Sequence, residues 1–271
     1  MVMGFSGWMD GGDVSVGTVD GLIRALGARP AARIEPEGFY IYNFPGSMEI
    51  SALFRPHTRI EDGLVAELDF PDNTFFADAG HNLVLFHGKE PNVRWRDYAD
   101  CVFEAAATFD VRRIYFVGSV AGVVPHTREP RLSCSVSEER LKEELEPYVV
   151  RFSNYEGPAS LVTYLTREAP ARGVEMAALV AEIPAYVRGT NPTCIESVTR
   201  RLAGILGVQV DLEHLQRVRR VFEEKLSEAV EEREDLAELI HKLEGDYDNE
   251  VFDTQMGDLK DWLEQKGIRL D

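Results

Sequence analysis

A chain of 271 residues is long enough to bury a large core, and its 44% hydrophobic and 28% charged residues are typical of a globular protein. A formal net charge of −18 argues against nucleic acids and anionic membranes as partners, because these polyanions would repel the chain. No apolar run approaches the roughly 20 residues of a membrane-spanning helix. The N-terminus lacks the basic and apolar regions of an export signal. We therefore expect a cytoplasmic protein.

The three cysteines, Cys101, Cys134 and Cys194, lie far apart and form no C-x-x-C pair. This spacing argues against a disulfide framework and against a thiolate-rich metal site. The histidines show no H-x-x-x-H spacing either. We therefore predict no metal and no cofactor.

The first strand leads into a glycine-rich turn and then into a helix. Small residues allow backbone amides to approach an anion at a helix N-terminus, so Gly7, Gly11 and Gly12 are candidates for binding a phosphate or carboxylate. The spacing matches neither a P-loop nor a dinucleotide-binding fingerprint, and Asp10 would repel a phosphate. The alternative is a tight turn capped by an aspartate.

Two later segments, residues 82–87 and 114–117, are continuously apolar, which is typical of parallel strands buried on both faces of a sheet. Apolar residues at helical spacing lie between them and indicate one β-α-β unit. Residues 31–44 are predicted to form short strands, and residues 55–80 to form hairpins or ordered loops at a sheet edge.

A polar cluster follows the second of these strands and contains His126, Thr127 and Arg128. Ligands of open α/β sheets bind beyond the carboxyl ends of such strands. Thr127, Arg128 and Tyr155 are therefore candidates for ligand binding. An enzyme of the hydrolase or nucleoside-phosphorylase type would draw an acid, a base and an anion clamp from a set that includes His126, Glu156 and Arg128.

Glu90 and Asp10 are the further candidates for acid–base chemistry. Each candidate also has a structural alternative. His126 could be hydrogen-bonded to a loop carbonyl, Arg128 and Glu156 could form an ion pair between two loops, and Glu90 could lie at a helix N-terminus. No G-x-S-x-G sequence marks a nucleophile.

The chain from Asp211 to the end holds 19 acidic and 9 basic residues and is a distinct acidic unit. Apolar residues at helical spacing predict one long helix, or two helices that break near Arg233. The organisation we predict is an α/β body over residues 1–210, a long helix or helical hairpin over residues 211–245, and a breaker at 245–249 with a terminal helix within residues 246–271.

Five motifs along the chain resemble those of the proteasome assembly chaperone 2 family of bacteria and archaea, in the order that the family shows them. They are Gly4-Phe-Ser-Gly-Trp-Met-Asp10, Gly88-Lys-Glu-Pro-Asn-Val-Arg-Trp95, Pro125-His-Thr-Arg128, Tyr155-Glu-Gly-Pro158 and Pro184-Ala-Tyr-Val187. The resemblance runs from residue 1 to about residue 244. It implies a three-layer αβα sandwich similar to phosphorylase and hydrolase folds, with a C-terminal helical extension.

The same resemblance implies a homo-oligomer, with a trimer as the first expectation, and a proteasome-related protein partner. The chain departs from the family at two places. Ala185 stands where many members have histidine, so that imidazole is not an obligatory base here. The sequence ends Ile-Arg-Leu-Asp271, without the penultimate tyrosine by which archaeal relatives dock on proteasome rings.

Two functional hypotheses follow. The first is a non-catalytic, assembly-chaperone-like interaction protein whose acidic helical extension contacts a partner. The second is the hydrolase- or phosphorylase-like enzyme with a site near His126. We favour the first, because the resemblance and the uneven charge both support it.

Overall fold

The computed structural model describes the backbone of residues 1–265 and the side chains of residues 1–251. Its strands are β1 Val2–Ser6, β2 Arg29–Arg33, β3 His57–Glu61, β4 Leu64–Asp69, β5 Thr74–Asp78, β6 Leu83–Lys89, β7 Arg113–Gly122, β8 Leu132–Val136, β9 Val150–Phe152 and β10 Glu175–Pro184. Its α-helices are α1 Val14–Leu26, α2 Met48–Ala52, α3 Trp95–Thr108, α4 Arg140–Leu145, α5 Leu161–Glu168, α6 Pro192–Leu206, α7 Glu213–Glu231 and α8 Glu234–Gln265.

In the described part of the chain, eight strands form one mixed sheet in the order β2-β5-β6-β1-β7-β10-β8-β9. The central strands β6, β1, β7 and β10 are parallel to one another. Strand β5 is antiparallel to β6 on one side, and β8 is antiparallel to β10 on the other. The predicted strands at residues 82–87 and 114–117 are confirmed as β6 and β7, with helix α3 between them.

The central strands are buried on both faces, as their continuous apolar sequence predicts. In β7, Ile114 and Phe116 belong to a core cluster that includes residues of α3 and α5. Tyr115 and Val117 point to the opposite face, into a cluster that includes residues of α1 and α6. Helices therefore cover both faces of the sheet, and the predicted three-layer αβα sandwich is confirmed.

The aromatic segment after β2 corrects one prediction. Short strands were expected over residues 31–44, but the strand ends at Arg33 and the aromatic residues lie in a loop. The buried hydroxyl of Tyr40 lies 2.6 Å from the carbonyl oxygen of Lys89. The carbonyl oxygen of Phe39 accepts the backbone N–H of Asn92 at 3.0 Å. These tertiary contacts replace the strand ladder that β propensity alone favours.

The acidic extension contains two helices, α7 and α8, which are separated at residues 232–233. The predicted break near Arg233 is confirmed. The predicted break at residues 245–249 is wrong, because α8 continues through them. Leu243, Tyr247 and Val251 lie four residues apart and are buried or half-buried, so they share one helix face that contacts the body. The expected terminal helix within residues 246–271 lies partly outside the described residues.

Two glycines provide a test of this architecture. A Cβ atom on Gly4 would lie 2.6 Å from the carbonyl oxygen of Ser15 and 2.8 Å from Cγ2 of Val19, where β1 and α1 touch. A Cβ atom on the helical Gly245 would meet nothing within 4 Å. We expect Gly4→Ala to lower the free energy of unfolding by about 2 kcal/mol and Gly245→Ala to raise it by about 0.5 kcal/mol.

Denaturant unfolding of the two variants and the wild type measures both effects. Equal midpoints for Gly4→Ala and the wild type would contradict the close approach of α1 to β1.

Candidate functional site

The candidate site residues lie in loops at one edge of the sheet. Strands β6, β1 and β7 run parallel, so the loops that follow them, which carry Glu90, Asp10 and His126, leave the sheet on the same side. This edge is the usual position of ligands in α/β folds, as the sequence predicts. The structure nevertheless divides the candidates into separate groups, each with its own partners.

Asp10 caps helix α1. Its Oδ1 atom accepts the backbone N–H of Ser15 at 2.8 Å and that of Val16 at 3.3 Å. Asp13, at the helix N-cap itself, has a left-handed backbone with φ of 54° and makes no side-chain capping bond. The more distant Asp10 therefore satisfies amides that would otherwise be unpaired. Burial raises the pKa of the Asp10 carboxyl to about 6.

The glycine-rich turn is tied to its neighbours through backbone oxygens. The carbonyl oxygen of Gly11 accepts the hydroxyl of Ser119 at 2.7 Å, and that of Gly12 accepts the backbone N–H of Asn191 at 2.8 Å. Since the Asp10 carboxylate already accepts amides at the α1 N-terminus, these contacts favour the capped turn over anion binding. Ligand binding by Gly7, Gly11 and Gly12 stays a prediction.

Glu90 joins two loops. Its Oε1 atom accepts the backbone N–H of Leu161 at 3.1 Å, at the start of α5, and its Oε2 atom accepts the backbone N–H of Trp8 at 3.2 Å. Both carboxylate oxygens are thus engaged by backbone, and Glu90 acts as the helix N-terminal carboxylate that was one of its two predicted roles. A cleft of about 360 Å³ lies beside it, lined in part by Trp8 and Trp95.

Tyr155 and Glu156 lie on the surface. Tyr155 is 69% exposed, and its hydroxyl donates to the carbonyl oxygen of Pro158 at 3.2 Å. The ion pair predicted between Arg128 and Glu156 is wrong. Arg128 instead binds Asp248 of α8 through two hydrogen bonds, of 2.8 Å from Nε and 2.7 Å from Nη2. Glu156 is exposed in the loop that precedes α5.

His126 is buried, with 7% of its surface exposed. The Tyr186 hydroxyl accepts its backbone N–H at 2.7 Å and bonds its Nδ1 atom at 2.8 Å. The predicted hydrogen bond thus exists, but the partner is this hydroxyl instead of a loop carbonyl. Within residues 1–251, Nε2 is buried without a hydrogen-bond partner. Burial lowers the pKa of His126 and leaves little of its ring accessible.

Thr127 and Arg128 contact the acidic extension. The Thr127 hydroxyl donates to Oε1 of Glu244, and Arg128 Nη1 lies 3.4 Å from the same oxygen. Sequence reasoning missed this connection because it placed a helix break at residues 245–249. The spacing of Leu243, Tyr247 and Val251 would have revealed a continuous apolar face through the supposed break.

In the described residues, no group of three or more His, Cys, Asp or Glu side chains is placed to hold a metal ion. The three cysteines are unbonded, and burial raises the pKa of the Cys134 and Cys194 thiols to about 12. Over residues 1–265, no helix is long and apolar enough to cross a bilayer.

The sequence model of the PAC2 family matches residues 4–230. The chain belongs to the PAC2 family. The resemblance drawn from the five motifs is thereby confirmed, and the match covers nearly all of the sheet, both helical layers and most of α7. A comparison with curated proteins found no match.

Solved structures of PAC2-like proteins share this fold. A proteasome-assembly chaperone homologue of Mycobacterium tuberculosis is 27% identical, with 88% of this chain and 98% of that chain covered at a TM-score of 0.75. A PAC2 family protein of Streptomyces avermitilis is 24% identical, with 89% and 98% covered at a TM-score of 0.73. An archaeal proteasome activator of Pyrococcus furiosus is 18% identical, with 84% and 91% covered at a TM-score of 0.59.

The raised pKa of Asp10 predicts a pH-dependent stability for this PAC2 protein. A carboxyl whose pKa is higher in the folded state stabilises the fold at acid pH, and that contribution is lost as the pH rises to about 6. Asp10→Asn keeps an acceptor oxygen and removes the buried charge. Allowing for solvent screening, we expect it to be more stable than the wild type by about 1 kcal/mol at pH 7.5 and equally stable at pH 4.

Thermal melts between pH 4 and 7.5 measure this difference, with the exposed Glu156→Gln as the control variant. A wild type that is more stable than Asp10→Asn at neutral pH would contradict the raised pKa.

The two hydrogen bonds that Glu90 accepts predict that its removal destabilises the fold. Glu90→Ala leaves the amides of Trp8 and Leu161 without their acceptor, so we expect the free energy of unfolding to fall by about 1–2 kcal/mol. Glu156→Ala, in the neighbouring loop, should change it by less than about 0.5 kcal/mol. Urea unfolding compares the two, and equal effects would exclude the bridging role of Glu90.

Proposed function

We propose that this PAC2 protein is a non-catalytic, assembly-chaperone-like protein that binds a proteasome-related protein partner. Family membership supports this proposal, as do the relatives that are themselves a proteasome-assembly chaperone homologue and a proteasome activator. The geometry of the sheet edge gives the enzyme alternative no support, because Asp10, Glu90 and His126 are each engaged by separate structural partners.

The observation that carries the proposal is a projecting hairpin arm, formed by β3 and β4. In the described residues this two-stranded sheet pairs with no other strand, and every residue of both strands is exposed. The pairing register places Thr58 opposite Leu68 and Ile60 opposite Val65, so these side chains share one face. The apolar members of that face are 54–66% exposed.

The other face of the hairpin arm carries ion-paired side chains and one exposed apolar residue, Leu64, opposite Glu61. Arg59 binds Glu67 at 2.5 Å, and His57 lies 3.4 Å from Asp69. An isolated two-stranded hairpin is only marginally stable, and contiguous exposed apolar side chains mark interaction sites. The hairpin arm therefore has the amphipathic character of an element that a protein partner covers.

The arm can be tested with proteasome subunits of the source organism. We expect the wild-type chain to bind the purified subunits and to increase the yield of assembled rings. Ile60→Asp combined with Leu68→Asp should weaken that binding about tenfold or more, because it places two charges in the apolar contact. His57→Ala, on the face that carries the ion pairs, is the matched control and should bind as the wild type does.

Size-exclusion chromatography with light scattering follows both binding and the oligomeric state. Unchanged binding by the double variant would contradict the role of the arm. Dissociation of a homo-oligomer by the same variant would instead assign the arm to self-association. The trimer, the cytoplasmic location and the division into a body of residues 1–210 and a helical unit remain proposals.

A further inference from the structure

A second feature, distant in sequence from the hairpin arm, is a cavity of about 510 Å³ beneath helix α8. Its lining includes four arginines and one carboxylate, namely Arg131, Arg151, Arg200, Arg201 and Glu129. Such a concentration of positive side chains is unusual in a chain with 47 acidic and 29 basic residues. The volume is in the range of cavities that hold small ligands or short peptide segments.

One carboxylate already occupies two of these arginines. Glu250 of α8 accepts from Arg131 at 2.5 Å through one oxygen and from Arg151 through the other. The Arg131 guanidinium also stacks on the ring of Tyr247, 4.5 Å from its centroid. The spacing of the two arginines therefore fits a carboxylate, and α8 supplies it from within the chain.

Of the other two arginines, Arg200 is paired with the lining residue Glu129 at 2.9 Å, whereas Arg201, in the described part of the chain, has only backbone partners. Arg201 donates to the carbonyl oxygens of Pro130, Tyr148 and Val149 at 3.0, 2.8 and 2.6 Å, and within residues 1–251 it forms no ion pair. Its burial lowers its pKa, which reflects the unfavourable charge. The Nε atom of Arg131, whose side chain is 13% exposed, is buried without an acceptor in the same part of the chain.

We propose that this cavity binds a carboxylate-bearing peptide segment of another protein, in competition with Glu250. An incoming carboxylate would take the position of Glu250 between Arg131 and Arg151, in the cavity that Arg201 also lines. The apolar side chains of Leu132 and Val149, which also line the cavity, suit a peptide better than an inorganic anion. Nucleic acid is disfavoured by the net charge of −18.

The purified full chain and a hexaglutamate peptide with a neutral dye test the proposal by fluorescence anisotropy. Glu250 is tethered to the cavity, and a tethered group competes at an effective concentration of roughly millimolar. We therefore expect Glu250→Gln to bind the peptide about tenfold more tightly than the wild type. Adding Arg151→Gln to that variant should reverse the gain.

Arg167→Gln in the Glu250→Gln background is the matched control. Arg167 is exposed on α5, on the opposite face of the sheet, and its loss changes the net charge equally. Hexaglutamine should not bind, and thermal melts confirm that each variant folds. The proposal is overturned if Glu250→Gln binds the peptide no more tightly than the wild type. It is also overturned if Arg151→Gln weakens peptide binding no more than Arg167→Gln does. Displacement of the peptide by inorganic phosphate as effectively as by unlabelled hexaglutamate would overturn it as well. The assay contains no proteasome subunit, so its outcome is independent of the hairpin arm.

Discussion

The contact of helix α1 with strands β1 and β7 is the constraint on which the functional edge depends. The Ser15 hydroxyl donates to the carbonyl oxygen of Val117 at 2.5 Å and accepts the backbone N–H of Phe5 at 3.0 Å. The helix can come this close because Gly4 has no side chain. Once α1 is seated, the turn before it must close over the end of β7, and Asp10 reaches the helix amides. The carboxylates and hydroxyls of this edge are thus held by backbone groups before any ligand arrives.

The charged residues of the acidic extension form ion pairs that attach it to the body. Helix α8 is held on the body by ion pairs from Arg128, Arg131 and Arg151. Each pair is partly exposed and by itself stabilises little. Together with the stacked Tyr247 and the buried Leu243, they bind a helix whose acidic face would otherwise be repelled by an acidic body. The same arginines explain why a cavity suited to carboxylates lies under this helix.

Two features of this chain are typical of a binding protein. The polar side chains at the sheet edge have hydrogen-bond partners within the chain, and the apolar side chains of the hairpin arm are exposed. At the edge, the candidate groups Asp10, Glu90 and His126 each have their own hydrogen-bond partners. On the hairpin arm, apolar side chains are exposed to water, which solvates them poorly. The exposed hairpin arm, formed by β3 and β4, and the arginine-lined cavity beneath α8 are separate surfaces of the chain. The proposed partner of the arm and the proposed carboxylate-bearing segment would therefore contact different parts of the chain.

The amino-acid sequence by itself determined the central strands, the ends of two helices and the family. Residues 114–117 predicted a strand because burial on both faces leaves a continuous apolar run, and Gly27 and Gly207 both end helices in the left-handed conformation that glycine favours. The tertiary structure alone decided the partners of the polar residues. Arg128 meets Asp248 across 120 residues, because α8 continues through Gly245. A glycine such as Gly245 weakens a helix by about 1 kcal/mol. In α8 the packing of one helix face against the body outweighs this local effect. Such packing involves residues far away in the chain, so no local sequence pattern predicts it.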